Sequence, residues 1–251
     1  MVVYSCAHQW DAMLTCIYYA WTSKLGHENI QLVFEPVDQM SLFNNYIHVD
    51  SEPDKAEKVM IAVKNKISPF FYNEISYISM AYEDDVMEII YHLMMLGFKY
   101  GNHALKMYQY SDVARYQEIR KRIGNEVCRF KEILRFHQVN KELYVAHIEP
   151  KSQLVMAMGP VFADRMPSEN WIVIDDIHRE AVIHPKDEMF YIKQLNDLEY
   201  KNLLETEEAN DNFTDLWKVF FETIAIKERH NTRCQNNLFP LWTRKHAVEF
   251  W

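Results

Sequence analysis

Four ionisable side chains lie where the sequence pattern could place a catalytic acid or base. Glu126 belongs to a charged helical segment, His137 lies in a candidate strand, and Glu149 and Asp175 each end a candidate strand. Carboxyl and imidazole groups perform most general acid–base catalysis, so these four are the candidate catalytic residues. No compact catalytic motif surrounds them, since the chain lacks a Gly-x-Ser-x-Gly, a His-Glu-x-x-His and a phosphate-binding loop. Asp175 also has a structural interpretation, an ion pair with Arg179 at the tip of a hairpin.

The cysteines and histidines do not show the spacing of a metal site. Cys6, Cys16, Cys128 and Cys234 are scattered, and no Cys-x-x-Cys pair occurs. We therefore expect neither a metal nor a cofactor. Free thiols, together with an N-terminus unlike a secretion signal, predict a cytoplasmic protein that does not span a membrane.

Two segments are rich in basic side chains although the whole chain has a formal charge of −9. Residues 113–135 contain seven basic and three acidic side chains, and residues 225–251 contain five and two. Such clusters can neutralise phosphates locally, or they can be ordinary solvated helix faces. The candidate nucleic-acid contacts from these segments and the chain between them are Arg129, Lys131, Arg135, Arg165, Arg179, Lys227 and Arg229.

Hydrophobic spacing predicts a mostly helical first half and a small sheet in the middle. After a short strand at 2–4, apolar residues recur at helical spacing over 10–25, 51–68 and 84–96, and a charged helix covers about 112–129. Alternating stretches predict two hairpins, 133–138 with 143–148 and 171–175 with 180–184, separated by a short helix over 152–165. A further strand is predicted near 189–192.

The C-terminal part contains an amphipathic helix, and the predicted elements together set the fold class. The inward stripe of this helix is expected to comprise Phe213, Leu216, Trp217, Phe220 and Ile224. Helices packed on an antiparallel sheet give an α+β fold. The absence of a Pro-, Gly- or Ser-rich linker favours one compact domain over residues 1–251, the alternative being a helical lobe, 1–101, and a lobe of sheet plus helices, 102–251.

Short blocks in order along the chain resemble a bacterial family of DNA metabolism proteins whose domain has no known function. The blocks are Tyr4-Ser5-Cys6, 10–14, 129–136, Ile148-Glu149-Pro150, 162–165, 171–175 with Arg179, and 224–229 with Asn231. The resemblance implies a partnership with radical-SAM proteins similar to spore photoproduct lyase, and relatives are fused to uracil-DNA glycosylase-like domains. At two positions where that family usually has histidine, this chain has Cys128 and Val161. Any role that the two histidines have in relatives is therefore not expected in this chain.

The resemblance and the basic segments together predict an accessory protein of DNA repair. It would contact DNA, or a DNA-bound radical-SAM partner, through a confined basic face. One alternative is an enzyme that acts on a nucleotide or damaged base, using the candidate acids and bases above. The other is a protein-interaction module without nucleic-acid contact.

Overall fold

The computed structural model describes residues 1–37, 40–140, 142–206 and 212–250. The chain divides into two compact units, Met1–Ile123 and Gly124–Trp251, and the division falls inside the long helix α5 (Ser111–Ile133). The prediction of a single domain stays a prediction. Within the described residues, no helix is both long and apolar enough to cross a membrane.

The first unit combines a three-stranded parallel sheet with helices. The strands β1 (Val2–Cys6), β2 (Ile30–Phe34) and β3 (Asn45–His48) lie in the order β2-β1-β3, and both pairs are parallel. The helices are α1 (Trp10–Thr22), α2 (Pro53–Lys66), α3 (Pro69–Ile78) and α4 (Val86–Tyr100), followed by α5. A helical first half is therefore only part of the architecture.

Local sequence explains where these helices begin. Pro53 and Pro69 each occupy the first turn of a helix, where the missing N–H costs nothing. The Ser68 side chain caps α3 by accepting a hydrogen bond from the Phe71 amide at 3.0 Å. The charged side of α5 within this unit is held by acidic partners, since Arg115 pairs with Asp85 at 2.8 Å.

The second unit contains a five-stranded mixed sheet. Its strands are β4 (His137–Asn140), β5 (Leu143–Ile148), β6 (Asn170–Asp175), β7 (Glu180–His184) and β8 (Tyr191–Gln194), in the order β4-β5-β6-β7-β8. Three neighbouring pairs are antiparallel, and the two predicted hairpins correspond to β4–β5 and β6–β7, but β5 and β6 run parallel.

The prediction of a purely antiparallel sheet is wrong, and the connection between β5 and β6 explains why. The helix α6 (Val155–Arg165) lies between these strands, and a connection of that length can return the chain to the end where the previous strand began. The fold class is therefore mixed α/β. Val145, Ile174, Ala181 and Leu195 form a buried cluster between the strands and the segment after β8.

In the described residues after the sheet, the α-helices are α7 (Asp197–Thr206), α8 (Asn212–Ile224) and α9 (Thr232–Leu238). The predicted inward stripe of α8 is wrong for Leu216, Phe220 and Ile224, which are all exposed. Trp217 is also exposed, at 36%, so its predicted inward position is wrong as well, and the side chain of Phe213 lies outside the described residues.

Candidate functional site

The parallel pairing of β5 and β6 brings two carboxylates to one edge of the sheet. Ile148 and Asp175 are register partners at the ends of the two strands, and the Asp176 amide donates a hydrogen bond to the Ile148 carbonyl at 3.0 Å. The next residues along each strand are Glu149 and Asp176. The carboxyl ends of parallel strands meet at the same edge, so these two acids face a common site.

Asp176 is held in its charged form by two donors. His147 Nδ1 lies 2.8 Å and the Tyr200 hydroxyl 2.9 Å from Asp176 Oδ1. Burial alone would raise the pKa of this carboxyl, but His147, the neighbouring imidazole of His246 and Tyr200 outweigh burial and hold the pKa of Asp176 well below its usual range. His147 therefore donates to the carboxylate through Nδ1–H.

His246 lies beside the two carboxylates of Glu149 and Asp176. Its Nε2 lies 3.2 Å from Asp176 Oδ2 and 3.6 Å from Glu149 Oε1. Its ring stacks on that of His147, with centroids 5.5 Å apart. We call Glu149, Asp176 and His246, with His147 and Tyr200 behind them, the strand-edge cluster.

The imidazole of His246 is partly accessible, whereas its Nε2 atom is not. The side chain is 25% exposed, but Nε2 is buried and, among the described residues, makes no hydrogen bond despite facing two carboxylates. The neighbouring Lys245 contacts Glu149 through its ammonium group and is 65% exposed. The cluster therefore has an open side that carries a positive charge.

Contacts within the second unit fix the chain segment that carries His246. Arg135 Nη2 lies 2.7 Å from Glu249 Oε1, and the Trp217 indole N–H donates to Glu249 Oε2 at 3.2 Å. Arg244 donates to the Phe239 carbonyl and to Asn236 Oδ1, both within 2.9 Å. The segment is anchored on both sides of His246.

Tyr200 contacts Asp176, and Arg179 packs on the Tyr200 ring. The Arg179 guanidinium lies 3.5 Å from the centroid of the Tyr200 ring. Burial, followed by the hydrogen bond to Asp176, raises the pKa of Tyr200 to about 12, so its hydroxyl stays protonated and keeps donating. Arg179 has a left-handed backbone, with φ of 57°, in the turn between β6 and β7.

The structure gives the four candidate catalytic residues different surroundings. Glu149 lies in the strand-edge cluster, and the His137 ring stacks on His147 at 6.4 Å. Glu126 is buried and accepts hydrogen bonds from the Lys151 amide at 2.6 Å and from the Ser152 hydroxyl at 2.8 Å, so it stabilises the loop after β5.

Asp175 performs a structural task in the same turn. It is fully buried and accepts hydrogen bonds from the Ile177 and His178 amides at 3.0 Å and from the His178 ring at 2.7 Å. Burial raises the pKa of Asp175 despite these donors. The arginine expected to pair with Asp175, Arg179, packs on Tyr200, and His178 is the ionic partner of Asp175 in its place.

The predicted nucleic-acid contacts fall into three groups. Arg135 pairs with Glu249, and Arg179 stacks on Tyr200. The Lys227 side chain lies outside the described residues. The remaining four are half-buried or exposed, and no acidic side chain in the described part of the chain forms an ion pair with them: Arg129, Lys131, Arg165 and Arg229.

Sequence reasoning missed most of the strand-edge cluster. His147 is buried in β5, and its hydrogen-bond partner, Asp176, belongs to the cluster. His246 and Tyr200 have no spacing that marks them. The usable signal was that Glu149 and Asp176 each directly follow a strand, which becomes informative once the strands are known to be parallel.

The cluster's residue types fit two kinds of chemistry. Two carboxylates beside an imidazole can take up and release protons, and they can also hold a divalent cation. The His246 side chain is 25% exposed, so the cluster lies next to the protein surface.

Comparison with known proteins gives a family without an assigned activity. A family model described as a domain of unknown function, DUF4130, matches residues 84–249. A search of curated proteins finds no match. The family match includes every residue of the strand-edge cluster and most of the chain. The chain therefore belongs to the DUF4130 family of domains of unknown function.

Proposed function

We propose that this protein is an enzyme of DNA metabolism that acts on a nucleotide or a damaged base, with the strand-edge cluster as the centre that activates water. One observation carries the proposal: Glu149, Asp176 and His246 converge within 4.8 Å although they are distant in sequence. An ordinary solvated surface does not need two carboxylates and an imidazole at one sheet edge. Asp176, whose pKa is held below its usual range by its hydrogen-bond donors, is a perturbed ionisable group of the kind typical of reactive sites.

The hydrogen bonds around the cluster suit activation of a water molecule. His147 and Tyr200 hold Asp176 in place, so the carboxylate is preorganised before a substrate arrives. Lys245 is exposed beside Glu149 and supplies a positive charge at the open side. The DNA context comes from the family resemblance, which is an associational argument.

The test is turnover by the full-length protein and by His246→Asn. Nucleoside phosphates and oligonucleotides containing uracil or oxidised bases would be incubated with each protein, and products separated by chromatography. Loss of an acid–base group lowers the rate by about 10²–10⁴-fold. His230→Asn is the matched control, because His230 is exposed in the same unit and its ring bonds to Thr232 at 3.3 Å, outside the cluster. Equal turnover by His246→Asn and wild type would refute this proposal.

A second candidate function is the DNA-contacting accessory role, alone or with a radical-SAM partner. The four basic side chains without an acidic partner in the described residues favour it: Arg129, Lys131, Arg165 and Arg229. The slope of log affinity against log salt concentration is negative, and removing one side chain that neutralises a phosphate should make it less steep by about 0.9 for duplex DNA.

Changing these four residues one at a time to Gln therefore tests the accessory role. Arg115→Gln is the control, because Arg115 is already paired with Asp85. A partner that remains bound after nuclease treatment would instead favour the protein-interaction module. Salt-independent DNA binding, or none, would exclude direct contact.

A further inference from the structure

We propose that Glu149, Asp176 and His246 bind a divalent transition-metal ion of the Mn²⁺, Fe²⁺ and Zn²⁺ class. The inference rests on the proposed function and deepens it, because a bound ion would be the agent that activates water. A set of two carboxylates and one imidazole suits these ions, since imidazole favours transition metals and carboxylates also accept harder ions.

Two of the three distances between the donor atoms are close to those of a coordination sphere. A tetrahedral ion with ligands at about 2.1 Å separates its ligand atoms by about 3.4 Å. His246 Nε2 lies 3.2 Å from one Asp176 oxygen and 3.6 Å from one Glu149 oxygen, on either side of that value. All three donor atoms lie within 4.8 Å of one another, so small side-chain rotations would complete the site.

The orientation of His246 supplies an independent observation. Its Nε2 is buried and lies 3.2 Å from Asp176 Oδ2 and 3.6 Å from Glu149 Oε1, but among the described residues it lacks the geometry of a hydrogen bond to either carboxylate. A buried ring nitrogen is normally paired, because leaving it unpaired costs free energy. A cation between Nε2 and the two carboxylates would satisfy the nitrogen and both acids together.

The surroundings of Asp176 resemble the outer shell of a metal site. His147 Nδ1 and the Tyr200 hydroxyl both bond to Oδ1, which leaves Oδ2 directed at His246. Hydrogen bonds of this kind orient metal-ligating carboxylates and are typical of metal centres. Three protein ligands also leave coordination positions open, which is typical of catalytic rather than structural sites.

Lys245 gives the proposal a sharp internal test. Its ammonium group contacts the same Glu149 oxygen that faces His246, so the lysine and a cation compete for that carboxylate. Replacing Lys245 with Met removes the competing charge. A cation should then bind about fivefold more tightly or better.

The experiment titrates metal-free, full-length protein with Mn²⁺, followed by electron paramagnetic resonance of the free ion. Mn²⁺ is the probe because it avoids the exposed thiols of Cys128 and Cys234. We expect one equivalent to bind, affinity to fall by at least about 100-fold in His246→Asn and Asp176→Asn, and His230→Asn to match wild type. Circular dichroism would establish that each variant is folded.

Two outcomes would overturn the metal site. One is the absence of saturable binding, or equal binding by His246→Asn. The other is an unchanged or weaker affinity in Lys245→Met, a variant whose expected gain cannot arise from misfolding. Binding is measured without substrate, so it separates the two proposals: metal binding without turnover refutes the enzyme, and turnover that survives a chelator refutes the metal.

Discussion

Glu249 anchors the segment that carries His246, so its removal should weaken both the second unit and the strand-edge cluster. The Glu249 side chain is 5% exposed and accepts hydrogen bonds from Arg135 and Trp217. Glu249→Ala leaves the Arg135 guanidinium, itself mostly buried, without its carboxylate, although the guanidinium still donates to the Glu132 carbonyl at 3.0 Å.

The size of the effect follows from the two bonds. Both bonds end on the Glu249 carboxylate, and a hydrogen bond to a charged group contributes about 1.5–3 kcal/mol. Partial solvation of Arg135 recovers some of this, so we expect Glu249→Ala to lower the unfolding free energy by about 2–3 kcal/mol. Glu249→Gln keeps only one acceptor oxygen, because its other terminal atom is a donating NH2 group, and it should lower the unfolding free energy by about 1–3 kcal/mol.

Urea unfolding followed by far-ultraviolet circular dichroism measures these changes, and turnover or metal affinity measures the effect on the cluster. Glu228→Ala is the control, because Glu228 is exposed and its change should stay within about 0.5 kcal/mol. If Glu249→Ala were as stable as Glu228→Ala, the bonds from Arg135 and Trp217 to Glu249 would not hold the segment, and the reasoning would fail.

Three further predictions concern single contacts. Glu126→Ala should lower the unfolding free energy by about 2–3 kcal/mol, because it leaves the Lys151 amide and the Ser152 hydroxyl without their acceptor. Thermal melting measures this change, and Glu126→Gln should retain part of the stability. Gly97→Ala should lower the unfolding free energy by about 1–3 kcal/mol despite the better helix propensity of Ala, because the new methyl group would lie 2.7 Å from the fully buried Phe71 ring. An equal or higher unfolding free energy in this variant would contradict the prediction. Glu74 lies between Arg120 and Tyr116, and although burial opposes its ionisation, the hydrogen bonds from these two residues hold the pKa of Glu74 below the ordinary 4.5. The ionised carboxylate therefore stabilises the fold fully above pH 4.5, and this stabilisation is lost as the pH falls through the pKa of the folded state. Glu74→Gln should remove this part of the acid dependence, which urea unfolding at several pH values measures.

The positions of β5, β6 and β7 were predictable, whereas the start of β4 and one strand direction were not. The strand predicted over 133–138 is wrong at its start, because α5 extends to Ile133 and β4 begins at His137. The runs that became β5, β6 and β7 alternate or are continuously apolar, and the short turn after Asp175 predicts the antiparallel β6–β7 pair correctly. Periodicity states which face a residue occupies, not which strand lies beside it or how that strand runs. The β5–β6 pairing therefore needed the structure.

The first unit shows the same limit in another form. The helices α2 and α4 follow from Pro53 and from apolar spacing, but β2 and β3 were missed. β3 is mostly exposed, so Tyr46 and its neighbours provide little hydrophobic signal; its position depends on pairing with β1.

The candidate site was partly within reach of the sequence. Glu149 was selected because it follows a strand, and Asp176 lies one residue beyond the selected Asp175. Side chains alternate along a strand, so neighbours at its end have different surroundings: Asp175 is buried in the turn and Asp176 joins the cluster. His246 could not be found, because long-range contacts such as Arg135 with Glu249 set its place.

The parallel pairing of β5 and β6 also has a kinetic consequence. The β6–β7 hairpin closes over a short turn, whereas β5 and β6 can pair only after the whole crossover through α6 has been closed. Contacts between residues far apart in sequence form slowly, because loop-closure entropy must be lost first. We therefore expect a refolding chain to form the β6–β7 hairpin early and to bring Glu149 beside Asp176 only in a late step.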